Sequence, residues 1–418
     1  MRRSRLRHGA ALTLIMALAV SCASFKPRVQ LPEMTVGQSG FAATVAAYTG
    51  TPLVAGNRVQ ILLNGDEIFP ATLAAIRSAK KTINYLQYVF EDGPPAEQIA
   101  RALAERCRAG VKVNVLLDAV GSLLMAPEHR EVMTSAGCRV ESYRPLTSFA
   151  IHRVNYRNHR RILVVDGRLG VTGGSGVSEK WGGSGRQEGY WRDTDVKVEG
   201  PIVEQLQAAF VDNWLETTGI ALGGESYFPG ARPAKDGVDA LVVRSSPRQG
   251  ATAMYSMFLL SMAAARRSIY ITNPYFVPDK EMIDTLVAAR GKGVRVIVLL
   301  PGQIDHNIVR QASRAELGRL LKAGIEVYEY QAALLHAKTM VVDGVWATIG
   351  SANLDRRSLA LNQELNLVAY DRTIGRRLEE VFEQDLRHSK RLTYEAWHQR
   401  GLYGRFLEFL SIPVREQL

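Results

Sequence analysis

The chain carries two copies of one pattern, and this limits its architecture more than any other feature. Leu73-Ala-Ala-Ile-Arg-Ser-Ala-Lys-Lys-Thr-Ile83 is echoed by Leu259-Leu-Ser-Met-Ala-Ala-Ala-Arg-Arg-Ser-Ile269. Each is an alanine-rich helical stretch running into a β-branched, aromatic strand. A second helical pattern follows in both copies, Ala96 to Arg108 and Lys280 to Arg290. A glycine stop and another strand come next, Ala109-Gly-Val-Lys-Val-Asn-Val-Leu-Leu117 and Lys292-Gly-Val-Arg-Val-Ile-Val-Leu-Leu300. Glycine at a helix end, then a run of Val, Ile and Leu too apolar for a half-exposed strand, predicts a sheet covered by helices. The copies stand roughly 180 residues apart, far beyond the period of a solenoid. The fold class is therefore α/β, built from a duplicated domain. Gly223 to Gly237 is dense in turn formers and marks a linker over 223–238, between a first domain over 57–222 and a second over 239–395. Residues 22–56 lack sustained periodicity and read as a tether and lead-in; residues 396–418 form a tail.

A net charge of +11 on 418 residues, with 46% hydrophobic and 22% charged side chains, excludes a disordered chain and a multi-span membrane protein. The basic excess favours a polyanionic partner, nucleic acid or an acidic membrane surface, without choosing between them. Residues 1–21 read as a targeting segment: Arg2, Arg3, Arg5 and Arg7 precede the apolar run Ala10 to Val20, which is too short to span a bilayer comfortably. That run ends in Ala19-Val20-Ser21-Cys22, which resembles a bacterial lipoprotein cleavage box with Ala19 where the pattern has Leu. Cys22 is the expected lipidation site, placing the protein in the cell envelope, membrane-associated on the exported side. Export would permit one bridge between Cys107 and Cys138, but Cys107 lies in the helical pattern Ile99 to Arg108 and is read as a buried thiol. No cysteine-histidine cluster has metal-ligand spacing, so no metal is assigned.

The chemistry-bearing residues are duplicated too. Asn158-His159-Arg160-Arg161-Ile-Leu-Val-Val-Asp166-Gly167 is followed by Gly173-Gly-Ser175-Gly176, and Leu335-His336-Ala337-Lys338-Thr-Met-Val-Val-Asp343-Gly344 by Gly350-Ser351-Ala-Asn353. Strand side chains alternate faces, so His159 and Arg161 share one face, as do His336 and Lys338. Opening a phosphodiester needs a nucleophile, a proton donor for the departing oxygen and fixed cations for the phosphoryl oxygens. Two histidines can divide the first two tasks, and Lys338 with Arg161 can supply the third without a cofactor.

His336-x-Lys338-x4-Asp343 with Gly350-Ser351-x-Asn353 resembles the signature of the phospholipase D superfamily. The wider text, from Thr51 to Ser358 with Asn362-x-Glu364, is similar to bacterial cardiolipin synthases. The resemblance implies two α/β domains with mixed sheets, related by a pseudo-twofold axis, each giving one motif to a single site within one chain, which is expected to act as a monomer. It implies His159 as the likelier nucleophile and His336 as the acid/base, an assignment that could be reversed. Lys338, Ser351, Asn353 and Ser175 would bind phosphate. Glu364, and Asp193 in the first half, would each orient a histidine, while Asp166 and Asp343 face away and hold the loop after each strand. The implied activity is phosphatidyl transfer to a lipid or glycerol hydroxyl on a phosphatidylglycerol-like phospholipid. Hydrolysis to phosphatidic acid stays open, as does a non-catalytic lipid-binding relic.

Two departures stand out: Arg161 where the family has Lys, and Gly176 where it has Asn. Restoring Lys and Asn is expected to raise activity. An exported nuclease is a further alternative, with Trp181, Tyr190 and Trp191 as stacking platforms, although nucleic acid is not the expected partner. His152, Arg153, Arg157 and Arg160 make the approach to the first motif basic, and Asp305-His306 occupy a loop at the carboxyl end of a strand, where open α/β sheets present ligands. The stretch Trp397 to Leu410 reads as an interfacial helix or as packing on the second domain.

Overall fold

The computed structural model describes residues 29–145, 155–247, 252–303 and 307–400. From Glu33 onward the described chain forms one compact unit. A helix α1 (Ser39–Thr49) leads into the first half: β1 (Val54–Leu63), α2 (Asn64–Ser78), β2 (Thr82–Gln87), α3 (Pro94–Arg108), β3 (Lys112–Asp118), α4 (Pro127–Ser135), β4 (Arg139–Tyr143), β5 (Ile162–Val165), β6 (Leu169–Gly173), β7 (Trp191–Arg192), β8 (Thr194–Glu199) and α5 (Ile202–Thr218). The second half repeats the order with β9 (Val238–Ser245), α6 (Thr252–Ala264), β10 (Ser268–Thr272), α7 (Lys280–Gly291), β11 (Arg295–Pro301), α8 (Asn307–Lys322), β12 (Glu326–Tyr330), β13 (Leu334–Leu335), β14 (Thr339–Val342), β15 (Trp346–Gly350), β16 (Glu364–Tyr370) and α9 (Arg372–Leu386). Strand β17 (Ser389–Leu392) and helix α10 (Tyr394–His398) close the described chain.

The two halves share one 15-stranded sheet. Its order is β17-β12-β11-β10-β14-β15-β16-β9-β1-β8-β6-β5-β2-β3-β4, and apart from the extra edge strand β17 it reads as the same half-sheet from β12 and from β4 inward to the central antiparallel pair β1 and β9. Within each half the pairs β2–β3–β4 and β10–β11–β12 are parallel and the rest antiparallel, so the sheet is mixed. Period-2 alternation sends Leu163 and Val165 into a core on one face, and Ile162 and Val164 into another on the opposite face. That is why these strands read as unbroken apolar runs. The second of these cores lies under α5 and α9 and takes residues from both halves, among them Val196, Trp214, Val242 and Leu367. Burial across the seam makes the halves a single packed body.

Several expectations are revised. The segment read as a tether contains α1, whose Phe41, Ala42 and Val45 are buried, with Phe41 edge-on to Trp346 at 4.8 Å between centroids. Its apolar residues are spread around the helix, so no amphipathic period marks it in the sequence. Cys107 and Cys138 are joined as a disulfide with Cα atoms 5.6 Å apart, because the end of α3 and the start of β4 bring together two cysteines 31 residues apart. Arg157 and Arg160 are buried and not part of a solvated basic face. Arg160 donates to Asn213 Oδ1 (2.9 Å) and, across the seam, to the carbonyls of Ser245 (2.9 Å) and Glu364 (3.3 Å). Trp397 donates its indole N–H to the Arg314 carbonyl of α8 (2.8 Å), so the start of the C-terminal stretch packs on the second half. Cys22, His152, Arg153, Asp305, His306 and residues 401–410 lie outside the described residues. Among the described residues no helix is long and apolar enough to cross a membrane.

Candidate active site

Each histidine sits on an extended segment just ahead of an apolar strand, and backbone hydrogen bonds tie that segment to the other half. His159 N–H donates to the Gln363 carbonyl (2.9 Å), and Gln363 N–H donates to the Arg157 carbonyl (2.9 Å). One residue beyond Gln363, Glu364 comes within reach, and its Oε2 lies 3.0 Å from His159 Nδ1. In the mirror arrangement His336 N–H donates to the Arg192 carbonyl (2.8 Å), and the following Asp193 places Oδ2 at 2.6 Å from His336 Nδ1. Each half therefore supplies the carboxylate that orients the opposite half's imidazole. A carboxylate at Nδ1 holds the proton there, so Nε2 keeps its lone pair.

The cations stand beside the rings. Arg161 Nη2 is 3.2 Å from His159 Nε2, and Lys338 Nζ is 3.0 Å from both ring nitrogens of His336. Both cations also donate to the carbonyl of their own histidine. Burial, then the neighbouring Arg161, pushes His159 down to about 4 despite Glu364. Burial and Lys338 push His336 down to about 4 despite Asp193. Arg161 adds to the depression at His336, and Lys338 to that at His159, so each cation acts across the seam. Burial raises Asp193 and Glu364, but His336, Lys338 and the Trp181 N–H around the first, and His159, Ser351 and Ser358 around the second, outweigh it and hold both below the ordinary range.

Both histidines are thus neutral when folded and take up protons on unfolding anywhere between pH 4 and 6.5. The unfolded state binds more protons in that window, so stability rises with pH through it and is lost as pH falls from 6.5 toward 4. Thermal unfolding followed from pH 7 to 4.5 is expected to show the midpoint falling, with a shallower fall in a His159→Asn/His336→Asn double variant.

The remaining candidates divide. Ser351 Oγ donates to Glu364 Oε2 (2.5 Å) and accepts from Leu365 N–H (3.0 Å), so it serves the carboxylate. Ser175 Oγ donates to Asp195 Oδ2 (2.5 Å), and burial and Asp193 push Asp195 up to about 6. Asn353 is buried, and its Oδ1 has no hydrogen-bond partner among the described residues. Asp166 and Asp343 face away from the site, with φ of 51° and 53°, each followed by a glycine of positive φ that closes the turn. Their carboxylates reach past their own turns to cap the chain entering the neighbouring strand. Asp166 accepts from the backbone of Lys80, Lys81 and Thr82 (2.9, 2.7 and 2.8 Å). Asp343 accepts from Arg266, Arg267 and Ser268 (2.9, 2.7 and 3.0 Å).

Sequence reasoning missed two neighbours. The Tyr88 ring lies edge-on to His159 with centroids 4.6 Å apart, at the end of β2. Trp181, read as a platform for stacked bases, is only 2% exposed, donates its indole N–H to Asp193 Oδ2 (2.8 Å) and stands edge-on to His336 at 5.2 Å. The same ring fills the space beside Gly176, where an added Cβ would meet Trp181 Cζ3 and Cη2 at 2.8 and 2.9 Å and Val89 Cβ at 2.9 Å. The expectation that an asparagine restored at 176 would raise activity is therefore withdrawn: the site has no room for it while Trp181 is present.

The family model described as "Cardiolipin synthase, PLD-like domain" matches residues 72–214 and 259–386. The chain is 33% identical over 362 residues to a cardiolipin synthase of Geobacillus kaustophilus, covering 86% of this chain and 72% of that protein. It is 34% identical over 389 residues to cardiolipin synthase 1 of Bacillus anthracis (91% and 76%). It is 35% identical over 358 residues to the major cardiolipin synthase ClsA of Bacillus subtilis (85% and 74%). Among solved structures, phosphatidylserine synthase of Haemophilus influenzae superposes with a TM-score of 0.69 at 16% identity, covering 91% of this chain and all of that one, a likeness of fold. The chain belongs to the phospholipase D-like cardiolipin synthase family, a family of enzymes.

Proposed function

We propose that the protein is a phosphatidyltransferase of cardiolipin synthase type working through a phosphohistidine. The observation that carries this is the crossed pairing of His159 with Glu364 and His336 with Asp193, two imidazoles each with Nε2 unprotonated and a cation alongside. A phosphodiester anion bound between Arg161 and Lys338 offsets the charges that depress His336 and lets that ring hold a proton. His159 Nε2 attacks phosphorus, a P–N bond forms, the P–O bond to the head-group alcohol breaks, and His336 gives that oxygen its proton. His336 then takes the proton of an acceptor hydroxyl, whose oxygen attacks phosphorus as the P–N bond breaks. Lys338 and the Asn353 carboxamide, turned to present its NH2, hold the phosphoryl oxygens.

His159 is favoured as nucleophile by its neighbours. Both rings have a cation beside Nε2, but His336 also lies between the Trp181 and Trp191 rings (5.2 and 5.1 Å), which favour an imidazolium and so the acid role there. Incubation with labelled phosphatidylglycerol tests the reading. Cardiolipin and glycerol are the expected products, and phosphatidic acid alone would mean that water is the acceptor and the enzyme a hydrolase.

The reading includes work at an exported membrane surface, with Cys22 acylated, and the Cys107–Cys138 disulfide supports an oxidising compartment. Leu123 and Leu124 are 62% and 68% exposed on the turn after β3. Asp118 pins that turn through the N–H groups of Val120 and Gly121 (2.9 and 3.1 Å), and its other oxygen takes Asn158 N–H (2.9 Å), next to His159. Exposed leucines on a turn tied through Asp118 to the segment that carries His159 suit contact with acyl chains. Changing both to Asp is expected to cut co-sedimentation with phosphatidylglycerol vesicles roughly tenfold or more, at about 1.5–3 kcal/mol per buried leucine, while turnover of a short-chain monomeric lipid is kept.

A further inference from the structure

We propose that Gly176 and Trp181 form one coupled replacement, in which Trp181 is the positioning residue for the Asp193–His336 pair. The repeat makes the exchange legible. Trp181 follows Gly176 by five residues, as Ser358 follows Asn353. In the second half, Ser358 Oγ donates to Glu364 Oε1 (2.7 Å) and accepts from Asn353 N–H (2.8 Å). In the first half, the indole N–H of Trp181 donates to Asp193 Oδ2 at 2.8 Å. The orienting carboxylate is served in both halves, by a hydroxyl on the oxygen turned away from the imidazole (Glu364 Oε1) and by an indole on the oxygen that faces it (Asp193 Oδ2).

An indole is far larger than a hydroxyl, and its six-membered ring, together with Val89 Cβ on the other side, takes the volume in which a side chain at 176 would lie. Glycine at 176 is thus the condition for tryptophan at 181. The exchange removes one phosphate-binding carboxamide from the first half and puts an aromatic wall against His336, which also meets Trp191. The site is therefore unequal: the second half holds the phosphoryl oxygens with Lys338 and Asn353, and the first half keeps only Arg161 for that task. The first motif is altered as a set and is not a decayed copy of the second.

The groups facing His336 are Asp193 from the β7–β8 junction, Lys338 on its own segment and Arg161 ahead of β5; Asp195 lies behind Asp193. Removing the indole N–H while keeping the ring leaves Asp193 less neutralised, so His336 should titrate higher in Trp181→Phe than in the parent. That variant is expected to lower kcat roughly 10- to 100-fold with KM little changed, as the loss of one hydrogen bond to a charged group does. Gly176→Asn should do at least the same damage. Gly176→Asn/Trp181→Ser, which rebuilds the second half's pair, should recover most of it.

The kinetic readouts rest on the proposed function, so the parent enzyme is first assayed for turnover of phosphatidylglycerol. If the parent has none, that reading fails, and the titration of His336 followed by nitrogen-15 NMR in parent and Trp181→Phe decides the present one. An upward shift of the His336 titration supports it. An unmoved titration, or parent-level kcat in either single variant, overturns it. Should Gly176→Asn fail to fold, Trp181→Phe carries the test alone.

Discussion

His159→Asn is expected to abolish transfer, lowering kcat by about 10^4-fold or more, the scale on which removal of a covalent nucleophile acts. Asparagine keeps a polar group near Glu364 and leaves Arg161 and Lys338 in place, so binding of the lipid should persist and the loss should fall on kcat. The partner substitution separates the two roles. His336→Asn removes the proton donor, which matters for an alkoxide leaving group and far less for a phenolate that departs without help. A phosphatidyl ester of p-nitrophenol given to His336→Asn should therefore release p-nitrophenol in a burst and leave phosphorus on the protein. Alkaline digestion and mass mapping should find it at His159. Phosphorus on His336 in the parent, with His159→Asn still showing the burst, would mean the roles are exchanged.

Glu364→Gln should cost nearly as much, roughly 10^4-fold in kcat, by the logic that governs a carboxylate orienting a catalytic imidazole. The carboxylate lies 3.0 Å from His159 Nδ1 and accepts from Ser351 and Ser358. Ser358 and the Asn362 NH2 both donate to Oε1 (2.7 and 3.4 Å), which favours the amide oxygen there and puts the NH2 in the place of Oε2, facing the ring, while the Ser351 hydroxyl can donate to the Leu365 carbonyl instead (3.3 Å). The imidazole then accepts at Nδ1 and carries its proton on Nε2, the atom that must attack. Addition of His159→Asn to Glu364→Gln should bring little further loss, because the two residues act as one unit. If the effects of the two changes multiply, the carboxylate serves something other than this ring.

The duplicated segments and the α/β class follow from residue pattern alone, since a glycine stop followed by Val-Lys-Val-Asn-Val-Leu-Leu is a local signal. So is the His-x-Arg or His-x-Lys pair, because extended backbone puts i and i+2 side by side whether or not a regular strand has begun. What no local rule reaches is the crossing: that Glu364 serves His159 and Asp193 serves His336 depends on β1 meeting β9 and on the bridge from His159 to Gln363. Arg160 shows the same limit. As a sequence it belongs to a basic cluster, yet its guanidinium is spent on carbonyls of the other half. Trp181 was within reach, had the repeat been followed five residues past Gly176. The α1 helix was not, because its alanines and two aromatics carry no period.

The single sheet through β1 and β9 has a bearing on when chemistry can begin. A chain with only its amino-terminal portion folded has an imidazole at 159 whose Nδ1 has no acid to hold its proton, because that acid is synthesised some 200 residues later. The converse applies to His336 and Asp193. Neither fragment is a slow version of the whole: each lacks the group that sets the tautomer. On the proposed mechanism, competence for transfer therefore arrives in one step, with closure of the seam.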